Sequence, residues 1–319
     1  MRKSYALFDF DKEKQDQKRE QYTFGKWTDK VLSLMPAKQQ NAMEYLSSPL
    51  KRFFKEMPLE QISSMKVQEY VQARRNALAT SCGKPRAIPK KISAGTRGQE
   101  LGLLVFILRA AEREGLLSKL PHVVFEKVEH RSRVLSDVEY KALLEAAEPL
   151  WLKRVITVAY ETSLTIGDLL DLTWDQITGG MIKISRAKTK CRQVVPVSKE
   201  VEAILAELRE EPTNIQRLVF TNNGRGITYS LVNHYWGLAK ARASIEDLHI
   251  HDLRHCAISR WASWGLPVEC ALVASGHKVT SLGVHGIYTN LSDSDVLAAF
   301  RRMWKRMEEE RPVVVEETA

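Results

Sequence analysis

Residues 251–290 read HDLRHCAISRWASWGLPVECALVASGHKVTSLGVHGIYTN. Three pieces of this stretch carry side chains suited to chemistry: His251-Asp-Leu-Arg254, Gly276-His277 and Tyr288. The first opens a helix expected over residues 252–264. Spaced i and i+3 on one helix, His251 and Arg254 lie on the same face, where one turn can present both to a single ligand group. Each residue alone is most often structural or solvated, so the argument rests on their combination.

Upstream, the hydrophobic period changes to that of strands. Residues 181–186 and 192–197 are expected to pair across a short turn that holds Ala187-Lys-Thr-Lys190. A lysine on such a hairpin is usually solvated. Ser136-Asp-Val-Glu139 is a capping box ahead of a helix. Residues 151–172 read as continuing helix, and further helices are expected over 198–210 and 230–243. Beyond the tyrosine, Ser292-Asp-Ser-Asp295 caps a helix whose apolar positions Val296, Phe300, Met303 and Met307 recur at i, i+4, i+7 and i+11.

The first part of the chain is helical throughout. Between Thr23 and Leu117 at least four helices fit, among them residues 40–56, a helix after Pro58 through Val67, Tyr70, Val71 and Leu78, and residues 95–114. Residues 81–93 hold Pro85, Pro89, Gly83 and four cations, Lys84, Arg86, Lys90 and Lys91. That composition predicts an exposed loop, either solvated or in contact with a phosphate backbone. Residues 120–133 read as a linker.

Composition bounds these readings. The 319 residues are 44% hydrophobic and 27% charged, which excludes collagen-like, low-complexity and wholly disordered chains, and the length suggests two domains. Net charge is +9, and all of the excess lies early: residues 1–130 hold 24 Lys and Arg against 15 Asp and Glu, while residues 131–319 hold 24 of each sign. A basic module beside a balanced one suits a grip on a polyanion next to a chemical centre. No apolar run approaches the ~18 to 20 residues that span a bilayer. Met1 to Glu20 alternate acid and base without the apolar core of a secretory signal, so the chain is expected to stay in the cytoplasm. Cys82, Cys191, Cys256 and Cys270 lack the spacing of a zinc site or disulfide framework.

Taken in order, Leu164-Thr-Ile-Gly-Asp-Leu-Leu-Asp-Leu-Thr-Trp174, the hairpin lysine, His251-Asp-Leu-Arg-His255, Ser275-Gly-His277 and Ile287-Tyr-Thr-Asn290 resemble the tyrosine recombinases, the family of phage integrases. The resemblance covers nearly all of residues 131–300, and residues 95–117 look like the last helix of that family's N-terminal core-binding domain. It implies a mainly α (α+β) fold in three parts. Residues 1–20 would be an arm or tail, 21–130 a helical, SAM-like clamp on DNA, and 131–319 a mixed helical catalytic domain with a small antiparallel sheet and a C-terminal helix. That last helix would dock on its own domain or, as the family suggests, on a neighbouring protomer.

The implied activity is site-specific cutting and rejoining of DNA through a 3′-phosphotyrosine bond, integrating or excising a mobile element. Tyr288 would be the nucleophile. Arg254, His251 and His277 would hold the scissile phosphate, and Lys188 would be the general acid, with Lys190 as competitor. Asp168 and Thr165 would stand behind them. Lys84, Arg86, Lys90, Lys91 and Arg97 are the candidate DNA contacts. No metal and no cofactor is implied. The implied partners are double-stranded DNA with specific recombination sites, further copies of the chain as a dimer or tetramer, and an accessory DNA-bending or directionality factor, with no membrane and a nucleoid-associated place in the cytoplasm.

The sequence departs from the family at one catalytic position. Leu164-Thr-Ile-Gly normally reads Leu-Arg-Ile-Gly, the arginine also clamping the phosphate, and threonine is too short for a bidentate contact. Losing one such donor typically costs about 10² to 10³ in rate. Either another cation such as Arg186 fills the space, or the enzyme is slow, or the protein is a catalytically impaired DNA-binding or regulatory relative. His277 and Tyr288 are 11 residues apart, which implies a longer loop than usual, and His285 is no substitute for either. A type IB topoisomerase shares the chemistry, but the short loops and small clamp fit an integrase better.

Overall fold

Helix starts in this chain are set by caps. Ser63, Ser93, Ser136, Ser198 and Thr228 each stand one residue before a helix and accept a hydrogen bond from the backbone N–H three residues on. Each such cap satisfies a donor that the helix cannot pair internally. The computed structural model describes residues 22–78, 80–81, 84–85, 91–128, 133–185, 192–211, 217–277 and 291–310. Residues 1–130 and 131–319 form separate compact units.

The first unit holds α1 (Phe24–Ser33), α2 (Ala37–Phe54), α3 (Ser64–Asn76) and α4 (Ala94–Arg113). Phe24, Leu50, Phe54, Tyr70, Leu104 and Ile107 close one apolar core. The stretch from 81 to 93, expected as a loop, is in part paired: β1 (Thr80–Ser81) runs antiparallel to β2 (Lys84–Pro85), and Leu78 bridges Lys91. Composition signalled the turn but not the ladder, which forms because the chain doubles back between α3 and α4 and its backbone groups find partners across the gap. Lys84 lies in β2 and Lys91 is exposed, whereas Arg86 and Lys90 lie outside the described residues. Arg97 is 12% exposed and gives its guanidinium to Glu126 and the Ile92 carbonyl.

Glu100, 2% exposed on α4, is held by Tyr70 Oη at 2.7 Å and by Arg74 Nε at 2.9 Å. Burial first, and the neighbouring carboxylate second, push the Tyr70 phenol well above its ordinary range, so it remains a donor. Breaking a buried pair leaves an uncompensated charge. Glu100→Ala is therefore expected to destabilise the first unit by about 3 to 5 kcal/mol. Thermal unfolding followed by circular dichroism checks this, and an unchanged transition would mean that Arg74 rearranges into water.

The second unit starts with α5 (Asp137–Ala146) and α6 (Leu150–Thr162). The single helix expected over 151–172 is broken. Ser163 adopts a left-handed conformation with φ 58°, and a new helix, α7 (Ile166–Leu170), begins after Thr165. The break arises because Thr165 and Asp168 form a reciprocal capping box, which competes with helix continuation. A three-stranded antiparallel sheet follows in the order β3 (Ile177–Thr178), β4 (Met181–Ser185), β5 (Arg192–Pro196). Residues 186–191, including Arg186, Lys188 and Lys190, lie outside the described residues. Then come α8 (Lys199–Glu210), a hairpin of β6 (Thr221–Asn222) and β7 (Arg225–Gly226), α9 (Tyr229–Arg242), α10 (Asp252–Ser263) and α11 (Val268–Ser275).

The last helix, α12 (Asp293–Glu310), buries Val296, Ala299, Phe300 and Met303 in the core of its own unit. Phe300 meets Trp261 edge to face with ring centres 5.1 Å apart. Asp293, in its first turn, binds Lys183 at 2.9 Å and also Arg192, which ties the helix to the sheet. Among the described residues no helix is long and apolar enough to cross a membrane.

Candidate active site

The site is built where three helix ends meet. Asp252, 3% exposed, accepts the His249 N–H at 2.8 Å and so closes the turn that starts α10. Two residues on, Arg254 is only 5% exposed. Its Nη1 donates to the Ser163 carbonyl at 2.8 Å, and its Nη2 donates to the Ser275 carbonyl at 2.5 Å. Ser163 ends α6 and Ser275 is the last residue of α11. One guanidinium thus serves the carbonyl ends of two helices, where partial negative charge collects and the last carbonyls lack intrahelical donors. Those contacts offset part of the penalty of burying a cation, which is several kcal/mol.

Gly276 then turns the chain. With φ 66° and ψ 28° it occupies the left-handed region that only glycine enters freely, so that the N–H of Gly276 reaches the Val273 carbonyl at 3.1 Å and the N–H of His277 reaches that of Leu272 at 2.9 Å. This closing motif swings His277 back over the helix end. Its Nδ1 lies 2.7 Å from Ser275 Oγ and its Nε2 lies 3.5 Å from Arg254 Nη2. The ring is exposed although Ser275 and Arg254 beneath it are buried. His251, also exposed, precedes α10 and accepts the Arg254 N–H at 3.2 Å through its carbonyl, its ring set edge to face against His255.

Of the residues expected from sequence, the structure brings Arg254 and His277 side by side, with His251 one turn away. Thr165 caps α7: its hydroxyl donates to Asp168 Oδ2 at 2.6 Å and accepts the Asp168 N–H at 3.2 Å. Asp168 therefore serves the local turn through Thr165, two residues from the carbonyl that holds Arg254. Tyr288, Lys188, Lys190 and His285 lie outside the described residues. Two contributors were not expected, Ser163 and Ser275. Their carbonyls carry no sequence signal, whereas the Ser275 hydroxyl stands in the quoted Ser275-Gly-His277 and was legible as a neighbour of the histidine.

A fixed guanidinium with a histidine at its edge is preorganised for a phosphoryl oxygen, because two carbonyl acceptors already lock its plane before any ligand arrives. The profile described as "Phage integrase family" matches residues 133–295, half of the chain and the whole of this site's described part. The chain belongs to the phage integrase family. Among relatives, it is 29% identical over 257 residues to the shufflon-specific DNA recombinase of Escherichia coli, covering 77% of this chain and 63% of that protein. It is also 29% identical over 251 residues to the integrase of Salmonella phage P22, covering 68% of this chain and 63% of that one. The chain thus spans a little under two thirds of the length of these relatives. In fold, it is similar to lambda integrase residues 75–356, solved as a dimer bound to a COC′ core site, with a TM-score of 0.67 at 17% identity over 85% of this chain and 99% of that one. The Tn1549 transposon integrase, solved with circular intermediate DNA, gives a TM-score of 0.64 at 14% identity over 87% of this chain and 99% of that one. The mainly helical, phage integrase fold with small antiparallel sheets is therefore shown.

Proposed function

We propose that this phage integrase family member is a site-specific DNA recombinase that cuts and rejoins duplex DNA through a tyrosine–phosphate bond. The observation that carries the reading is the Arg254 guanidinium, locked against two helix ends with His277 Nε2 3.5 Å from it. Arg254 and His277 hold the non-bridging oxygens of the scissile phosphate, with His251 added from the start of the same helix. Tyr288 Oη attacks phosphorus and loses its proton, the bond to the 5′-oxygen breaks, and Lys188 protonates that oxygen as it leaves. A 5′-hydroxyl from the other duplex then displaces the tyrosine, so the strand is rejoined without an external energy source. The basic excess of residues 1–130 suits a grip on the duplex by the helical unit. Relatives solved as a dimer on a core site and as a tetramer on a Holliday junction suggest that several copies act together.

The test begins with duplexes selected from a randomised pool by binding to the full chain, mapped by footprinting, then rebuilt with a nick beside the cut position so that the released fragment diffuses away. A detergent-resistant protein–DNA adduct is expected. Tight binding to the selected duplex with no adduct under any placement of the nick would overturn the reading.

A second reading, an impaired DNA-binding relative, is favoured by Thr165, whose hydroxyl is engaged in a cap rather than reaching outward. Thr165→Arg separates the two. Loss of the cap is expected to lower stability by about 1 kcal/mol, while adduct formation rises at least ~10-fold because a cation returns near the phosphate. Single-turnover cleavage of the nicked duplex measures this. A slower rate in a folded variant would mean that another group already fills the place.

A further inference from the structure

We infer that Ser275 is a positioning residue of this site, its hydroxyl holding His277 in the tautomer and ring direction that turn Nε2 toward Arg254. The inference rests on the reading of the site as a DNA-cleavage centre. Ser275 is 1% exposed, and its Oγ lies 2.7 Å from His277 Nδ1 and 3.2 Å from the Leu272 carbonyl. A hydroxyl has one proton to give. With that proton given to the Leu272 carbonyl, which can only accept, a serine lone pair accepts from Nδ1–H.

The other side of the ring gives the same answer independently. Nε2 lies 3.5 Å from Arg254 Nη2, and a guanidinium nitrogen is a donor only. A neutral ring carrying its proton on Nε2 would set two donors against each other, whereas a ring protonated on Nδ1 offers the guanidinium a lone pair. The Nδ1–H tautomer is the one that suits both of these partners. A ring held in this way takes up its second proton at Nε2, on the side where the phosphate would sit, and it is in that protonated form that it donates to a phosphate oxygen. The protonated ring still gives Nδ1–H to Ser275, so its direction is kept in both charge states.

One residue therefore sets two side chains by different atoms, Arg254 through its carbonyl and His277 through its hydroxyl. This makes the hydroxyl separable by mutation, because Ser275→Ala leaves the carbonyl in place. Where a histidine ligates a metal, the hydrogen-bond partner of its other ring nitrogen contributes about 10- to 100-fold, and the same range is expected of Ser275.

The experiment uses the full chain labelled with ¹⁵N-histidine, with His277→Gln identifying the His277 signal among the eight histidines. Long-range ¹H–¹⁵N spectra of the neutral ring distinguish Nδ1–H from Nε2–H. The unaltered chain is expected to show Nδ1–H at His277, and Ser275→Ala to shift toward Nε2–H with its affinity for the selected duplex unchanged. Its adduct formation rate should fall about 10- to 100-fold, and Ser275→Thr, which keeps the hydroxyl, should restore both signatures. An Nε2–H ring in the unaltered chain overturns the inference, as does a Ser275→Ala variant with an unmoved tautomer or with the rate of an active parent chain. If the tautomer moves as expected while the parent chain forms no adduct, the Ser275 assignment is supported and the cleavage reading falls. Should Ser275→Ala fail to fold, Ser275→Cys keeps the volume with a far weaker hydrogen bond and is read by the same criteria.

Discussion

Tyr288→Phe is expected to bind the selected duplex as tightly as the unaltered chain, with the same salt dependence, and to form no covalent adduct. The substitution removes one oxygen and keeps the ring, so contacts that depend on Lys and Arg meeting phosphates are unaffected. What disappears is the atom that would take the phosphorus. Removing a covalent nucleophile lowers turnover by about 10⁴-fold or more, which puts cleavage of a nicked duplex below detection. Filter binding across a salt series and denaturing gels of the same samples read the two effects separately. An adduct that persists in Tyr288→Phe would assign the nucleophile to another side chain and remove the basis for pairing Tyr288 with Arg254.

Arg254→Ala is expected to damage both fold and chemistry, and Arg254→Lys to separate them. The alanine variant leaves the Ser163 and Ser275 carbonyls buried without their donor, at about 1 to 3 kcal/mol each. Under the proposed function it also removes the fork that would hold the phosphate, lowering adduct formation by at least about 10² to 10³. Lysine keeps the charge but ends in a single nitrogen, which cannot reach two diverging carbonyls and a phosphate oxygen together. Arg254→Lys should therefore unfold at a temperature between the unaltered chain and the alanine variant, yet cleave nearly as poorly as alanine. A lysine variant that cleaves at the unaltered rate would show that charge alone is required and that the two helix ends are incidental to the chemistry.

Much of the architecture was legible because it is written locally. Ser136 with Glu139 named its own capping box, and the change of period at Met181 named a strand. The apolar stripe of Val296, Phe300 and Met303 announced a docking helix, but only packing against Trp261 decided that its own unit covers it. Two further features are also written locally. Asn223-Gly224, both with positive φ, joins β6 to β7 as such a dipeptide commonly does in hairpins. Thr165 with Asp168 is a cap signature, and it starts a new helix within the span of residues 151–172 where apolar periodicity alone predicts a continuous one.

By itself, the sequence determined which side chains are available and how they are spaced along each element: a guanidinium at the start of α10, a histidine just past a glycine, a family resemblance through both. The tertiary structure alone decided what holds them. Arg254 bonds to carbonyls 91 and 21 residues away along the chain, and a carbonyl is the same in every residue type, so no pattern of letters marks the ones that matter. Their role comes from being the unpaired ends of two helices, and which helix ends meet is settled by how the apolar faces pack.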